Sequence, residues 1–300
     1  MIESDRLRRF LFEDAPLRGH WVRLSKSWIE ARQHQTLNAP AQALLGESLA
    51  AVALISASLK FKGTLTLQLL GSTGAVSMLV AQATDERALR GMAQMAEDET
   101  PRGTGFSDQI NGGRLVVSVE QGDGVAPWQG IVPLNGNSLA ECLGHYFEVS
   151  EQLPTVVVLA ANDEHAAGLL LQKLPAPQRE GEAAAASAQD VWEEATALLG
   201  TLGADELLAL GSGELLHRLF NAHDLRLFDA EPVHFACRCN RERVASLLRG
   251  LGQAEVDSIL AEQGSVTVTC EFCQQPYSFD AVDSAQLFLP GSAEGNSSIN

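Results

Sequence analysis

A chain of 300 residues, 45% hydrophobic and 20% charged, is long enough for two domains and apolar enough to bury a sizeable core. Its formal net charge of −17 argues against nucleic-acid binding, which needs cationic surface to neutralise phosphates, and supplies solubility instead. No uninterrupted apolar run reaches bilayer-spanning length, since residues 37–61 are broken by Gln42, Gly46 and Glu47, and the charged start Met1-Ile2-Glu3-Ser4-Asp5-Arg6 precedes no signal-type apolar core; a cytoplasmic protein with no membrane partner is expected.

Taken in order, Trp21-Val22-Arg23-Leu24 alternates and predicts an opening strand, and Ser25 or Ser27 is placed to cap a helix carrying Trp28 and Ile29. Residues 39–59 are small and apolar on every side, through Leu44, Leu45, Leu49, Val52, Leu54 and Ile55, which predicts a helix buried all round. His34, just before it, reads as a surface or capping residue.

From Phe61 the period becomes two. Leu65, Leu67 and Leu69 alternate with Thr64, Thr66 and Gln68, Gly71 to Gly74 turn the chain into a strand at 76–81, and Asn111-Gly112-Gly113 leads into another at 114–120. Leu89-Arg90-Gly91-Met92 reads as a short link. None of these glycines has phosphate-cradling spacing, so they read as turns.

Ser138-Leu139-Ala140-Glu141 fits a capping box that opens a helix with Leu139, Cys142, Leu143, Tyr146 and Phe147 on its inner face. Cys142 is therefore expected to be a buried core thiol. Strands at 156–160 and 167–172 follow, separated by Asn162-Asp163. Residues 1–177 thus predict an α+β domain of antiparallel sheet with helices.

Residues 178–231 are rich in Ala, Glu and Leu. Gly200, Gly203, Gly211 and Gly213 cut them into helices at 191–202, 205–210 and 214–220, none expected to exceed clearly the roughly 12–15 residues at which an isolated helix is even marginal. Their apolar stripe, from Trp192 through Leu207, Leu208, Leu215, Leu216 and Leu219 to Phe220, must rest on another surface. A metastable helical linker is the expectation.

Residues 232–300 predict a small domain: helices at 242–251 and 254–263 ending at Gly252 and Gly264, strands at 265–269 and 276–279, and a last helix at 280–289. It holds four of the five cysteines, as Cys237-Arg238-Cys239, thirty residues, then Cys270-Glu271-Phe272-Cys273. Two close pairs suit one soft tetrahedral cation, Zn²⁺ by default, and four thiolates leave no open position for a catalytic water. In a reducing compartment this pattern reads as a metal or redox site before a disulfide framework. With four arginines, no lysine and eight acids in 232–300, a nucleic-acid-binding zinc ribbon is disfavoured. Two readings stand open at this point: a zinc-stapled adaptor, and a thiol–disulfide oxidoreductase using Cys270 and Cys273, although such motifs normally open a helix and this one runs into Gln274-Gln275-Pro276-Tyr277.

The two cysteine pairs, with Arg9-Phe10-Leu11-Phe12-Glu13, Leu44-Leu45-Gly46-Glu47, Leu59-Lys60-Phe61-Lys62-Gly63, Leu65-Thr66-Leu67-Gln68, Leu89-Arg90-Gly91-Met92-Ala93, Tyr146-Phe147 and Ser150-Glu151-Gln152-Leu153-Pro154-Thr155, carry a resemblance to the thirty-three-kilodalton heat-shock protein family of redox-regulated chaperones. It covers nearly the whole chain, and the 32.1 kDa mass agrees.

The resemblance implies a non-enzyme. Its reduced form holds Zn²⁺ through Cys237, Cys239, Cys270 and Cys273 and is inactive. Oxidation forms two disulfides, releases the metal, unfolds linker and zinc domain, and lets the protein, as a homodimer, hold unfolding clients without ATP. Local pairing, Cys237–Cys239 and Cys270–Cys273, fits such a switch: loops of three and four residues stabilise by only about 1.6–2 kcal/mol each, whereas a crossed Cys239–Cys270 bridge would contribute roughly 3.7 kcal/mol and oppose unfolding.

Overall fold

The computed structural model describes residues 3–97, 103–121, 128–175 and 182–289. The chain divides into two compact units, Met1–Ala236 and Cys237–Asn300.

In the first unit, β1 (Arg6–Phe12) and β2 (Leu17–Leu24) form a hairpin, followed by α1 (Lys26–Arg32) and α2 (Ala39–Ser58). Then come β3 (Thr64–Leu70), β4 (Val76–Thr84), β5 (Ala88–Met95), the short α3 (Phe106–Gln109), β6 (Arg114–Glu120) and β7 (Trp128–Pro133). After α4 (Leu139–Tyr146) and a π-helical turn, Phe147–Glu151, come β8 (Thr155–Ala161) and β9 (Ala166–Lys173). The helices α5 (Glu182–Leu199), α6 (Ala204–Ala209) and α7 (Ser212–Phe220) lead to three short strands, β10 (Leu225–Leu227), β11 (Glu231–Pro232) and β12 (His234–Phe235).

Two sheets result, ordered β10-β1-β2-β9-β8, with β11 also on β1, and β12-β5-β4-β3-β6-β7. Helix α2 packs on strands of both. Its all-round apolar sequence is explained by that position: Leu44, Leu45, Leu49, Val52, Leu54 and Ile55 share one core with Leu7, Val22 and Leu170 of the first sheet and Leu65, Leu67 and Leu69 of the second. By length and hydropathy α2 is long and apolar enough to cross a membrane, contrary to the expectation that no such run exists, yet 72% of its most apolar window is buried inside the protein.

The period of two along the first sheet sorts its other side chains to the opposite face. There Phe10, Phe12, Leu17, Trp21, Leu169 and Leu171 meet Ala195, Leu199, Leu207, Leu208, Leu215, Leu216, Leu219 and Phe220 of α5–α7. Gly19 is needed beneath this layer, since a Cβ there would sit 2.0 Å from the Phe10 ring. The expected apolar stripe therefore rests on a sheet.

Several elements differ from the sequence expectation. The Leu89-Arg90-Gly91-Met92 segment is part of strand β5 and not a link; Gly91 lets the strand lie against α2, where a Cβ would come within 3.0 Å of Leu45. Helix α5 is 18 residues long, beyond the expected limit, and packs on the sheet through its C-terminal half, Val191, Trp192, Ala195, Leu198 and Leu199. Neither Ser25 nor Ser27 caps α1 with its hydroxyl. The Asp5 carboxylate does so from a distance, accepting from the N–H groups of Ser25 (3.1 Å), Lys26 (3.0 Å) and Ser27 (2.9 Å). Ser138 does cap α4, but the Glu141 carboxylate reaches Asn137 N–H rather than Ser138 N–H. His34 lies near the surface with its ring stacked 6.2 Å from that of Phe235.

The second unit contains α8 (Arg241–Leu251), α9 (Gln253–Gln263), the hairpin β13 (Val266–Thr269) and β14 (Pro276–Phe279), and α10 (Ala281–Leu287). Gly252 and Gly264 end α8 and α9 with φ of +93° and +76°, conformations that favour glycine. Among the described residues its core is seven buried apolar side chains, Val244, Ala245, Leu248, Val256, Val266, Phe279 and Leu287, a small core that benefits from a staple.

Candidate metal centre

Two short chain turns present the sulfurs. Cys237 and Cys239 flank Arg238 just ahead of α8, whose N-terminus is capped by the Asn240 side chain accepting from Arg243 N–H at 2.8 Å. The Arg243 guanidinium reaches back to donate to the Arg238 carbonyl at 2.7 Å, which fixes the bend between the two cysteines. The second turn is the tip of the β13–β14 hairpin. Its register, Thr269 opposite Pro276, leaves residues 270–275 to close it. Cys270 N–H donates to the Gln275 carbonyl at 3.0 Å and Gln274 N–H to the Cys270 carbonyl at 2.7 Å, with Gln274 left-handed at φ +54°.

Arg241, at the start of α8, ties that helix to β14 and α10. It donates to the Ser278 carbonyl at 2.8 Å and to Asp283 at 2.6 Å, and its guanidinium lies 4.2 Å from the centre of the Phe279 ring.

The four sulfurs lie within 4.8 Å of one another, each partly buried. Cys237 Sγ is 3.6 Å from Cys270 Sγ and Cys239 Sγ is 3.4 Å from Cys273 Sγ. A tetrahedron with metal–sulfur bonds of about 2.3 Å has edges of about 3.8 Å, so the set fits a four-thiolate cation site. Its electrostatics ask for one. Burial pushes the Cys237 thiol up, but the Cys239 N–H and the neighbouring thiols outweigh it and bring Cys237 down to about 7. Burial raises Cys270 and Cys273, and the neighbouring sulfurs hold both above the usual thiol range. The first negative charge is thus easy and the next are resisted, until a divalent cation inverts the balance.

All four cysteines predicted to act together are brought together. Cys142 stands apart in α4, 1% exposed, with burial pushing its thiol up to about 11. Sequence reasoning missed Tyr277, whose hydroxyl donates to Cys239 Sγ at 3.2 Å. The signal was present in the alternation of Pro276-Tyr277-Ser278-Phe279, which turns Tyr277 and Phe279 to one side of the hairpin. That contact pushes the phenol up to about 12, because a neighbouring thiolate disfavours a second negative charge.

Comparison with known proteins agrees over the whole chain. The family described as Hsp33 protein matches residues 5–280. The chain is 45% identical over 288 residues to the 33 kDa chaperonin of Nitrosococcus oceani, covering 96% of each chain, and 44% identical over 299 residues to that of Pseudomonas aeruginosa, covering 99% of each. The crystal structure of the 33 kDa chaperonin from Thermotoga maritima superposes with a TM-score of 0.79 at 25% identity, covering 94% of this chain and 97% of that one. With its mixed α+β fold and its C-terminal cysteine cluster, the chain belongs to the Hsp33 family of chaperones.

Proposed function

We propose that this protein is a redox-regulated, ATP-independent holdase of the cytoplasm, inactive while reduced and metal-bound and opened by oxidation. The observation that carries the reading is the cluster of four sulfurs within 4.8 Å in a unit with only a small apolar core. Cys237, Cys239, Cys270 and Cys273 are the ligands in this reading. When bound, Zn²⁺ crosslinks the two cysteine turns and supplies roughly 10–16 kcal/mol of folding free energy, the scale found for small zinc domains.

Oxidation converts each pair of thiols to one S–S bond. Two electrons and two protons pass to a peroxide, which leaves as two waters. With Cys237 joined to Cys239 and Cys270 to Cys273, the sulfurs no longer donate as thiolates and the second unit loses its staple. Residues 178–231 then act as a metastable linker between a core of residues 1–177 and a switch domain of residues 232–300. Release of α5–α7 bares Phe10, Phe12, Trp21, Leu169 and Leu171, an apolar face that unfolding clients can occupy. Homodimerisation of the oxidised form would enlarge that face.

An oxidoreductase is disfavoured on two counts. Cys270 and Cys273 sit at a hairpin tip rather than at a helix N-terminus, and the Cys270 thiol is raised, not lowered. Light scattering of a thermally unfolding client tests the proposal. Peroxide-treated protein should suppress aggregation without nucleotide, and reduced, zinc-loaded protein should not. Equal suppression by both forms would overturn the redox control.

A further inference from the structure

We propose that Tyr277 is a positioning residue of the switch, its hydroxyl restraining the Cys239 thiolate and slowing its oxidation. The inference rests on the four-thiolate reading above and adds a residue to it.

The geometry is specific. Tyr277 is paired with Val268 across the β13–β14 hairpin, and its ring packs against the small core of the second unit. Its Oη therefore approaches Cys239 from a fixed direction, at the 3.2 Å expected of an O–H···S hydrogen bond. Other sulfurs of the cluster are served by backbone donors: Cys237 by Cys239 N–H, Cys270 by Phe272 and Cys273 N–H, and Cys273 by Gln275 N–H. Backbone donors persist whatever side chains are present. The Tyr277 hydroxyl is a donor that one substitution deletes while keeping the ring.

The chemistry follows from the lone pair involved. A thiolate attacks peroxide with a sulfur lone pair: an S–O bond forms, the O–O bond breaks, and hydroxide leaves to be protonated to water. The Cys237 sulfur then attacks the Cys239 sulfenic sulfur, an S–S bond forms, and the second hydroxide departs as water. A hydrogen bond to Cys239 lowers the energy of the attacking pair, and it also orients that sulfur for a metal. Both effects hold the switch closed.

The test uses the full chain with Co²⁺ in place of Zn²⁺, so that the thiolates report through their charge-transfer absorption. In Tyr277→Phe the ligand-field bands of tetrahedral cobalt should persist, the thiolate-to-metal band should shift, and its loss under peroxide should quicken. Chelator competition should show metal retention weakened by about 10–100-fold, the usual cost of losing a partner of a metal ligand.

Fluorotyrosine gives the opposite perturbation without truncation. The chain has two tyrosines, so in a Tyr146→Phe background the label falls on Tyr277 alone, and its stronger donor should slow the peroxide reaction. Identical charge-transfer bands and oxidation rates in wild type and Tyr277→Phe, or a fluorotyrosine rate that does not fall, would overturn the proposal. Absence of thiolate-to-cobalt absorption in the wild type would instead sink the four-thiolate reading itself, and this inference with it.

Discussion

Cys237 Sγ lies 3.6 Å from Cys270 Sγ, a contact between the two cysteine turns rather than within either. Taken alone, that proximity favours crossed disulfides. Around a tetrahedral cation, however, all six sulfur–sulfur edges are nearly equal, so proximity in the closed state selects no pair. Selection falls to the opening chain, where sulfurs two and three residues apart keep a far higher effective concentration than sulfurs 33 apart. Peptide mapping of the oxidised, metal-free protein should therefore find Cys237–Cys239 and Cys270–Cys273. Crossed bridges in the client-binding fraction would refute the mechanism.

Ligand assignment can be tested separately from pairing. Close to one Zn²⁺ per reduced chain is expected, lost in Cys239→Ser and retained in Cys142→Ser, because Cys142 is buried in α4 outside the sulfur cluster. Metal analysis of purified protein decides it. Full zinc in Cys239→Ser would remove that residue from the site.

Much of this architecture is legible in residue patterns, and the exceptions have physical causes. The buried helix at Ala39–Ser58 and the strand at Thr64–Leu70 announce themselves through periodicity, and the cysteine spacing announces the cluster. Strand β1 does not, because Arg6-Leu7-Arg8-Arg9-Phe10 mixes charge with apolar residues that serve two different cores, Leu7 in one and Phe10 in the other. Strand β5 is hidden by Gly91, a glycine that serves packing rather than a turn. The Asp5 cap, twenty or more residues from the amides it binds, and the Tyr277 contact, 38 residues from its sulfur, depend on tertiary approach that no local window contains.

Glu47 gives the first unit a pH dependence. It sits in the core helix α2, and burial pushes its carboxyl up to about 7 from an ordinary 4.5. The folded state therefore binds a proton that the unfolded state releases between those two values. The Glu47 contribution to stability is fullest below the unfolded value and is lost as pH rises through the folded one, by about 3 kcal/mol in all. Glu47→Gln should remove that slope. Urea unfolding followed through the buried Trp21 and Trp28 should show the variant more stable than wild type at pH 8 and nearly equal at pH 4. Equal stability of variant and wild type at pH 8 would contradict the assignment, a comparison that buried His20, held down to about 3 and so adding a slope of opposite sign to both proteins, leaves untouched.

The apolar stripe of α7 has a direct test as well. Leu215, Leu216 and Leu219 are buried against the first sheet, and each contributes roughly 1.5–3 kcal/mol through burial. Replacing all three by Ser should weaken docking of the helix and raise amide exchange in α5–α7 of the reduced protein, while α2 stays protected. If the released stripe forms part of the client surface, the oxidised variant should also hold clients less well. Unchanged client binding would confine that surface to the sheet.

Two charges at the α6–α7 corner make opposite predictions about how firmly the helices are docked. Glu3 accepts from the Ser212 N–H at 2.9 Å and from its hydroxyl, satisfying the first turn of α7. Arg23, 4% exposed, donates one bond of 3.3 Å to the Ala209 carbonyl at the end of α6, and its Nε has no partner. A well-bonded carboxylate stabilises the docked state, whereas a guanidinium buried with so few acceptors penalises it, since undocking returns that charge to water. Glu3→Gln should therefore loosen the corner and speed amide exchange in α7. Arg23→Met, which fills the same space without the charge, should slow that exchange, stabilise docking by about 1–3 kcal/mol and require more oxidant for client binding. Faster exchange in Arg23→Met would show that the Ala209 contact outweighs the burial penalty.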